Sequence, residues 1–141
     1  MKSIIGNLSV ALDQQIAAAT AYMEASNQGS DGIRAVMHVF FNRLQFVPKY
    51  GSTIADICLR PWQFSCWNTA DPNRHRLSIV DDRNPILADC IAAYDEVSGG
   101  SDDPTLGATH YIADGITPPP WVSEATQTVK IGSHTFYKDV T

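Results

Sequence analysis

Glu24 is the residue whose type and surroundings first suggest acid–base chemistry. It follows Tyr22 and Met23 and precedes Ala25, so its neighbours in sequence are largely apolar. Burial among such neighbours raises the pKa of a carboxyl group, and a carboxylic acid still protonated near neutral pH is able to donate a proton to a leaving oxygen. The residues alone equally fit a solvated glutamate at the end of a helix, and their spacing does not decide between these two interpretations.

Two helices must position this carboxyl group. Residues 9–26 are predicted to form the first, with Ser9 as its N-cap. Its predicted apolar face consists of Leu12, Ile16, Ala19 and Met23. After a polar break at residues 26–29, a second helix is predicted to begin at Ser30 or Asp31. Its predicted buried stripe consists of Ile33, Val36, Met37, Phe40 and Leu44. His38 lies off this stripe, which favours a structural or solvent-facing role over a catalytic one.

The rest of the chain predicts a third long helix and a small hairpin. Ser52 is a candidate cap for a short helix through Leu59, residues 60–67 read as an extended segment, and residues 68–83 as a loop. Asn84-Pro85 opens the third helix. Its predicted core face is Ile86, Leu87, Cys90, Ile91, Tyr94 and Val97. Residues 126–131 and 134–138 flank Gly132-Ser133, a two-residue hairpin turn. These elements predict an α+β fold that is mainly helical.

Length and composition restrict the class of protein. A chain of 141 residues predicts one domain, residues 1–141, with no separate second domain. With 44% hydrophobic and 18% charged residues, a globular chain is expected. A net charge of -5 argues against nucleic acid as the main partner. No apolar run approaches the roughly 18–20 residues of a membrane span, so membrane insertion is not expected. We expect a monomer.

The cysteines and the N-terminus bear on the compartment. Cys58, Cys66 and Cys90 cannot all pair within one chain, so a reduced cytosolic pool is the simplest interpretation, with one disulfide and a leftover thiol as the alternative. Residues 1–15 are a poor signal peptide because their short apolar run is broken by Asn7 and Ser9. The sequence therefore predicts a cytoplasmic protein.

Several motifs occur in the order found in a known family. They are Tyr22-Met23-Glu24-Ala25, Gly32, Ala35-Val36, Asn42-Arg43, Gln63-Phe64-Ser65-Cys66-Trp67, Asp103-Pro104-Thr105, Gly107-Ala108-Thr109-His110-Tyr111 and the segment from Ile131 to Tyr137. In this set the chain resembles the cell-wall hydrolase family of the spore cortex-lytic enzymes, which are germination-specific lytic transglycosylases found also among phage endolysins. The resemblance runs from about residue 12 to residue 137.

The resemblance implies a lysozyme-like domain with a cleft between its helical and β parts, and Glu24 as the catalytic acid. The expected substrate is the glycan strand of peptidoglycan, cut at the MurNAc-GlcNAc β-1,4 bond. Family members often carry a second glutamate four residues further on, where this chain has Gln28. A one-carboxylate mechanism is therefore favoured, that of a lytic transglycosylase, in which the 6-hydroxyl of muramic acid attacks its own anomeric carbon. A lysozyme-type muramidase is the alternative, with Asp71, Glu96 or Asp103 as the missing base.

The resemblance also implies two walls for substrate binding. The first is an aromatic ledge formed by Trp62, Gln63, Phe64, Ser65 and Trp67. Alternate residues of a strand face opposite sides, so Phe64 and one tryptophan fit the core equally well. The second wall is Thr109, His110 and Tyr111. Tyr111 is expected to hydrogen-bond the acid or an N-acetyl group, whereas His110 fits either a substrate contact or a structural residue.

Three other classes stay open. A zinc amidase would draw ligands from His38, His75, His110 and His134, yet the chain has no HExxH or CxxC motif; we expect no metal and no cofactor. A Cys-His peptidase would use Cys66 or Cys58 as nucleophile. A non-catalytic sugar-binding module would need only the aromatic ledge, and it would survive neutralisation of Glu24. For an endolysin without a signal peptide, release to the wall would depend on a holin.

Overall fold

The protein is mainly helical with a small sheet. The structure is a computed structural model that describes residues 4–60, 64, 67, 80, 81 and 83–141, with side chains from residue 12 onward. Its elements are helices α1 (Ile4–Ala25), α2 (Gly29–Arg43), α3 (Ile54–Leu59) and α4 (Pro85–Ser98), and strands β1 (His110–Ala113), β2 (Thr126–Ile131) and β3 (His134–Lys138). The strands form one antiparallel sheet in the order β1-β3-β2. The predicted α+β class is confirmed.

Helix α1 is longer than the sequence predicts. It begins at Ile4, so Ser9 lies inside the helix and its prediction as N-cap is wrong. Serine is only a moderately poor helix former, and no proline before it stops the helix. Leu12 is 53% exposed, so its place on the core face is also wrong. The buried face is made of small residues that let α1 approach its neighbours closely, namely Ala17, Ala18, Ala21 and Ala25.

Helix α2 lies between the other helices and the sheet. One of its faces packs against α1 and α4 through Ile33, Val36, Met37 and Phe40, as the predicted stripe requires. The opposite face packs against the sheet through Ala35 and Val39, which contact Ala108 and Phe136. Burying each large apolar side chain contributes about 1.5–3 kcal/mol, so a helix buried on two sides is the main organiser of the core.

Two helix starts differ slightly from prediction, and one matches it. Helix α2 begins at Gly29 after Gln28, whose side chain makes no cap hydrogen bond. Helix α3 is capped by Thr53 instead of Ser52, because the Thr53 hydroxyl accepts from the Asp56 amide at 3.0 Å. Helix α4 starts as predicted: the Asn84 side chain accepts from the amides of Ile86 and Leu87, and Pro85 occupies the first turn. Ile86 itself is 40% exposed and is not a core residue.

The hairpin also has the predicted bounds, with Gly132 at the turn in the left-handed region (φ +59) that favours glycine. Strand β1, which the sequence did not separate from the preceding loop, completes the sheet by pairing with β3. Of the predicted extended segment 60–67, the structure describes Arg60, Phe64 and Trp67. The Trp67 amide donates to the Phe64 carbonyl at 3.3 Å, a hydrogen bond between residues three apart that an extended segment does not make. Trp62, Gln63, Ser65, Cys66, Asp71 and His75 lie outside the described residues.

Candidate active site

Glu24 lies in the last turn of α1, at the junction with α2. Its side chain is half-buried, and the residues around it in sequence are buried: Tyr22 is 6% exposed, Met23 3% and Ala25 0%. The apolar environment inferred from the sequence is therefore present in the fold. A carboxyl group held in such a position has one side against protein and one side open to a ligand.

Arg43, at the end of α2, is a buried cation beside Glu24. It is 4% exposed, and burial lowers the pKa of its guanidinium, while electrostatic interactions with Tyr111, Tyr50, Cys58 and Glu24 act in the opposite direction. The guanidinium lies 5.0 Å from the ring centroids of both Tyr50 and Phe64. These contacts compensate for the lost hydration of the charge. Arg43 lies near both Glu24 and Tyr111, the two site residues predicted from the sequence, and so connects them in one site.

The last two residues of α2 also hold the strand that carries Tyr111. The Asn42 amide donates to the Ala108 carbonyl at 2.8 Å, and Arg43 Nε donates to the Thr109 carbonyl at 2.7 Å. Charged donors make hydrogen bonds about twice as strong as neutral ones. The start of β1 is therefore fixed relative to α2 by two side chains adjacent in sequence.

Tyr111 occupies the inner side of β1. Its hydroxyl oxygen is buried, and its ring packs on His134 at 4.7 Å and on Phe136 at 5.7 Å between centroids. Burial lowers the pKa of His134, so its imidazole is neutral near neutral pH. Tyr111 thus rests against the hairpin on one side and close to Arg43 on the other.

His110 points to the opposite face of the strand from Tyr111, as alternation requires. Its ring packs between Tyr50 (5.6 Å) and Trp121 (5.0 Å), and its Nδ1 is 2.9 Å from the Thr109 hydroxyl. Burial, together with the nearby cations Arg43 and Lys49, lowers the pKa of His110 to about 4. The packing supports the structural role that the sequence left open.

Three other predicted contact residues serve the core. Phe64 is 4% exposed and packs edge-on against Phe40 at 5.1 Å, so it is not part of a sugar-stacking surface. Trp67 packs on the helical core and donates its indole N–H to the Thr20 hydroxyl at 2.9 Å. Thr109 is 3% exposed, and its hydroxyl is used by His110. Phe64 and Thr109 are buried and Trp67 is partly buried against the core, so this packing supports a structural role for all three.

Two of the acids named as candidate bases, Asp103 and Glu96, have other partners, and Asp71 lies outside the described residues. Burial raises the pKa of Asp103, but the hydrogen bonds that it accepts from Thr105, Asn42 and Gly107 outweigh burial and lower it. Glu96 pairs with Arg34, and this hydrogen bond lowers the pKa of Glu96. Both carboxylates are therefore occupied by other hydrogen-bond partners.

Of the groups needed by the alternative classes, those that the structure describes have different neighbours, and Cys66 and His75 lie outside the described residues. His38 contacts Ser101 through Nε2 at 3.2 Å, whereas His110 and His134 belong to the two faces of the sheet. Within the described ranges, no three histidine, cysteine, aspartate or glutamate side chains form a group able to hold a metal ion. Burial raises the pKa of both Cys58 and Cys90 to about 12, so these thiols are protonated and poorly nucleophilic at neutral pH.

Comparison with known proteins decides the family. The family model described as cell wall hydrolase matches residues 27–137. This chain belongs to the cell wall hydrolase family. The match begins just after Glu24. No curated protein sequence matches this cell wall hydrolase.

Two solved structures share the fold of this cell wall hydrolase. The catalytic domain of the SleB protein from Bacillus cereus has a TM-score of 0.69 at 22% identity, covering 91% of each chain. The catalytic domain of the germination-specific lytic transglycosylase SleB from Bacillus anthracis has a TM-score of 0.71 at 24% identity, covering 90% of this chain and 94% of that one. Family membership shows an enzyme that degrades the cell wall, and the two solved structures show its fold.

Sequence reasoning missed the roles of Arg43 and Trp121 in this cell wall hydrolase. The sequence contains one indication that Arg43 is buried: it follows Phe40 by three residues and so continues the buried face of α2. Trp121 packs on both His110 and Tyr137, at 5.0 and 5.4 Å, across 11 and 16 residues of sequence. No local pattern reports such contacts. Within the described ranges, no helix is both long and apolar enough to cross a membrane.

Proposed function

We propose that this cell wall hydrolase is a lytic transglycosylase that cuts the MurNAc-GlcNAc β-1,4 bond with Glu24 as its catalytic acid. Glu24 protonates the glycosidic oxygen as the bond from that oxygen to the anomeric carbon breaks. The 6-hydroxyl oxygen of muramic acid then bonds to that carbon, and its proton returns to the Glu24 carboxylate. One carboxyl group serves both steps, and no water is consumed.

The observation that carries this proposal is the half-buried Glu24 near Arg43, which also lies near Tyr111, while two of the candidate bases, Glu96 and Asp103, have other partners. A hydrolase normally places a second carboxylate about 5–10 Å from the acid. In the described part of the chain, Glu96 is held by Arg34 and Asp103 by its own turn. Gln28, at the position where a second acid was considered, is neutral and is hydrogen-bonded to Ser133. This arrangement favours intramolecular attack over activation of water.

Mass analysis of the fragments released from purified peptidoglycan tests the mechanism. We expect muropeptides that end in 1,6-anhydro-N-acetylmuramic acid, lack a reducing end and are lighter than hydrolysis products by one water molecule. Fragments with ordinary reducing ends would instead show a muramidase, and the base would then be sought at Asp71. Free stem peptides, with release blocked by EDTA, would show a zinc amidase. Digestion with and without EDTA belongs in the same experiment.

We propose further that the enzyme acts as a phage endolysin, held in the cytoplasm of the infected cell until a holin breaches the membrane. Supporting this, Cys58 and Cys90 are buried free thiols, as is usual in a reducing compartment. Expression in bacteria is expected to be tolerated until the membrane is permeabilised, after which turbidity falls rapidly. The Glu24→Gln variant under the same permeabilisation is the control. Lysis on expression alone, prevented by blocking secretion, would contradict this proposal.

A further inference from the structure

Gln28 bonds to the turn of the β-hairpin with both polar atoms of its side chain. Its Nε2 donates to the Ser133 hydroxyl at 2.6 Å, and its Oε1 accepts from the Ser133 backbone amide at 3.0 Å. Nε2 also donates to the Asn27 side-chain oxygen at 3.0 Å. The residues joined here are separated by 105 positions in the sequence. The side chain of Gln28, directly before α2, thus links the start of α2 to the hairpin turn by two hydrogen bonds.

Two glycines make room for this contact. A Cβ atom at Gly32 would lie 2.4 Å from the Gln28 Cβ, and one at Gly132 would lie 2.6 Å from Gln28 Oε1. Both distances are shorter than real Cβ atoms tolerate, so a larger residue at either position would displace the Gln28 side chain. The fold therefore accommodates this glutamine in one defined place.

The contact connects the turn that follows Glu24 to the hairpin that supports Tyr111. On one side, the backbone amide of Gln28 donates to the Ala25 backbone carbonyl at 3.0 Å, which closes the turn directly after Glu24. On the other side, Ser133 precedes His134, whose ring packs on Tyr111 at 4.7 Å. Arg43 interacts electrostatically with both Tyr111 and Glu24. Gln28 thus joins the end of α1 to the hairpin that supports Tyr111.

We propose that Gln28 is a positioning residue that sets the separation between Glu24 and Tyr111, and so the alignment of the sugar between them. The proposal rests on the function proposed above for Glu24. Misplacement of a catalytic group by about 1 Å is able to reduce the rate about 10²-fold. Because the contact joins two parts of the protein and so fixes the position of Glu24 relative to Tyr111, its loss is expected to affect kcat more than KM.

The test compares Gln28→Ala with Gln14→Ala on soluble glycan strands at varied concentration. Gln14 is a matched control because its Nε2 also makes a 2.7 Å hydrogen bond between elements, from α1 to Asp95 on α4, away from Glu24. We expect Gln28→Ala to lower kcat about 10–100-fold with KM changed less than about threefold. Gln14→Ala is expected to retain wild-type kcat. Circular dichroism and thermal unfolding of both variants identify any loss of fold.

Two further variants separate positioning from a general structural role. Gln28→Glu retains the acceptor for the Ser133 backbone amide and replaces the Nε2 donor by an oxygen that accepts from the Ser133 hydroxyl, while the exposed Asn27 side chain is free to turn its N–H₂ toward the new oxygen. We therefore expect Gln28→Glu to have most of the wild-type kcat. Ser133→Ala is expected to lower kcat less than Gln28→Ala, and to add little when combined with it.

The outcomes distinguish this proposal from the one on which it rests. If wild-type protein does not cleave glycan strands, the proposed function fails. If the wild type cleaves them and Gln28→Ala has the same kcat as Gln14→Ala, the positioning role is wrong. It is equally wrong if Gln28→Ala changes KM alone, or if the losses from Gln28→Ala and Ser133→Ala simply add.

Discussion

Glu24→Gln is expected to keep the fold and to lower the rate of peptidoglycan cleavage by about 10²–10⁴-fold. The amide is nearly the same size as the carboxyl group and fits the same half-buried position at the end of α1. It cannot donate a proton to the glycosidic oxygen, nor accept one from the attacking hydroxyl. The measurement is the initial rate of release of soluble fragments, with circular dichroism to verify folding.

Glu96→Gln provides the matched control for this variant. Glu96 is also a glutamate near the end of a helix, but it is exposed and paired with Arg34. Its replacement is expected to leave the cleavage rate within about twofold of wild type, because it removes an exposed ion pair and no proton donor at the bond that is cut. A Glu24→Gln protein as active as Glu96→Gln would show that Glu24 is not the acid.

Acid is expected to destabilise the protein between about pH 6.5 and pH 4. The pKa of His110 falls from 6.5 to about 4 because the ring is buried, and burial also lowers the pKa of His38 and His134. In the unfolded chain these rings take up protons near pH 6.5, whereas in the folded protein His110 does so only near pH 4. Between these values the unfolded state binds more protons, so the free energy of unfolding decreases as the pH falls.

His110 alone is expected to account for about 2 kcal/mol of this decrease, after allowance for the partial exposure of its ring. Urea unfolding at pH 7.5, 6.5, 5.5 and 4.5 measures it, and His110→Phe should flatten the dependence on pH. Trp121→Phe is the control, because it alters the same aromatic contacts without removing a titrating group. An unchanged slope in His110→Phe would contradict the assignment. The paired carboxylates Asp103 and Glu96 lose their stabilising charge only at lower pH.

The elements predicted accurately from the sequence are those specified by neighbouring residues. The start of α4 is determined by Asn84, whose side chain accepts hydrogen bonds from amides two and three residues further on, and by Pro85 in the first turn. Gly132 supplies the turn conformation of the hairpin. The start of α1 was placed too late because a serine fits both a cap and a helix interior. Cap and turn residues determine where helices and strands begin and end, but not how those helices and strands pack against one another.

The candidate site was predictable only in part, for the same physical reason. Glu24 and Tyr111 were found through motif order, and both lie near Arg43. Phe64 and Trp67 give the same sequence pattern whether they face a sugar or the core. Tertiary packing buries Phe64 in the core and packs the partly buried Trp67 against it. Gln28 gave no sign of its partner, since nothing near it in sequence indicates Ser133.

The long separations of these contacts have a consequence for synthesis of the chain on the ribosome. Gln28 and Ser133 are 105 residues apart, and Arg43 and Thr109 are 66 apart. Closing loops of this length costs entropy that is recovered only when the distant contacts form. Helices α1 and α2 are able to pair early, but Tyr111 gains its support from His134 and Phe136 only after those residues have emerged. Glu24 is therefore synthesised long before the hairpin residues that support Tyr111, and an unfinished chain on the ribosome has no assembled site.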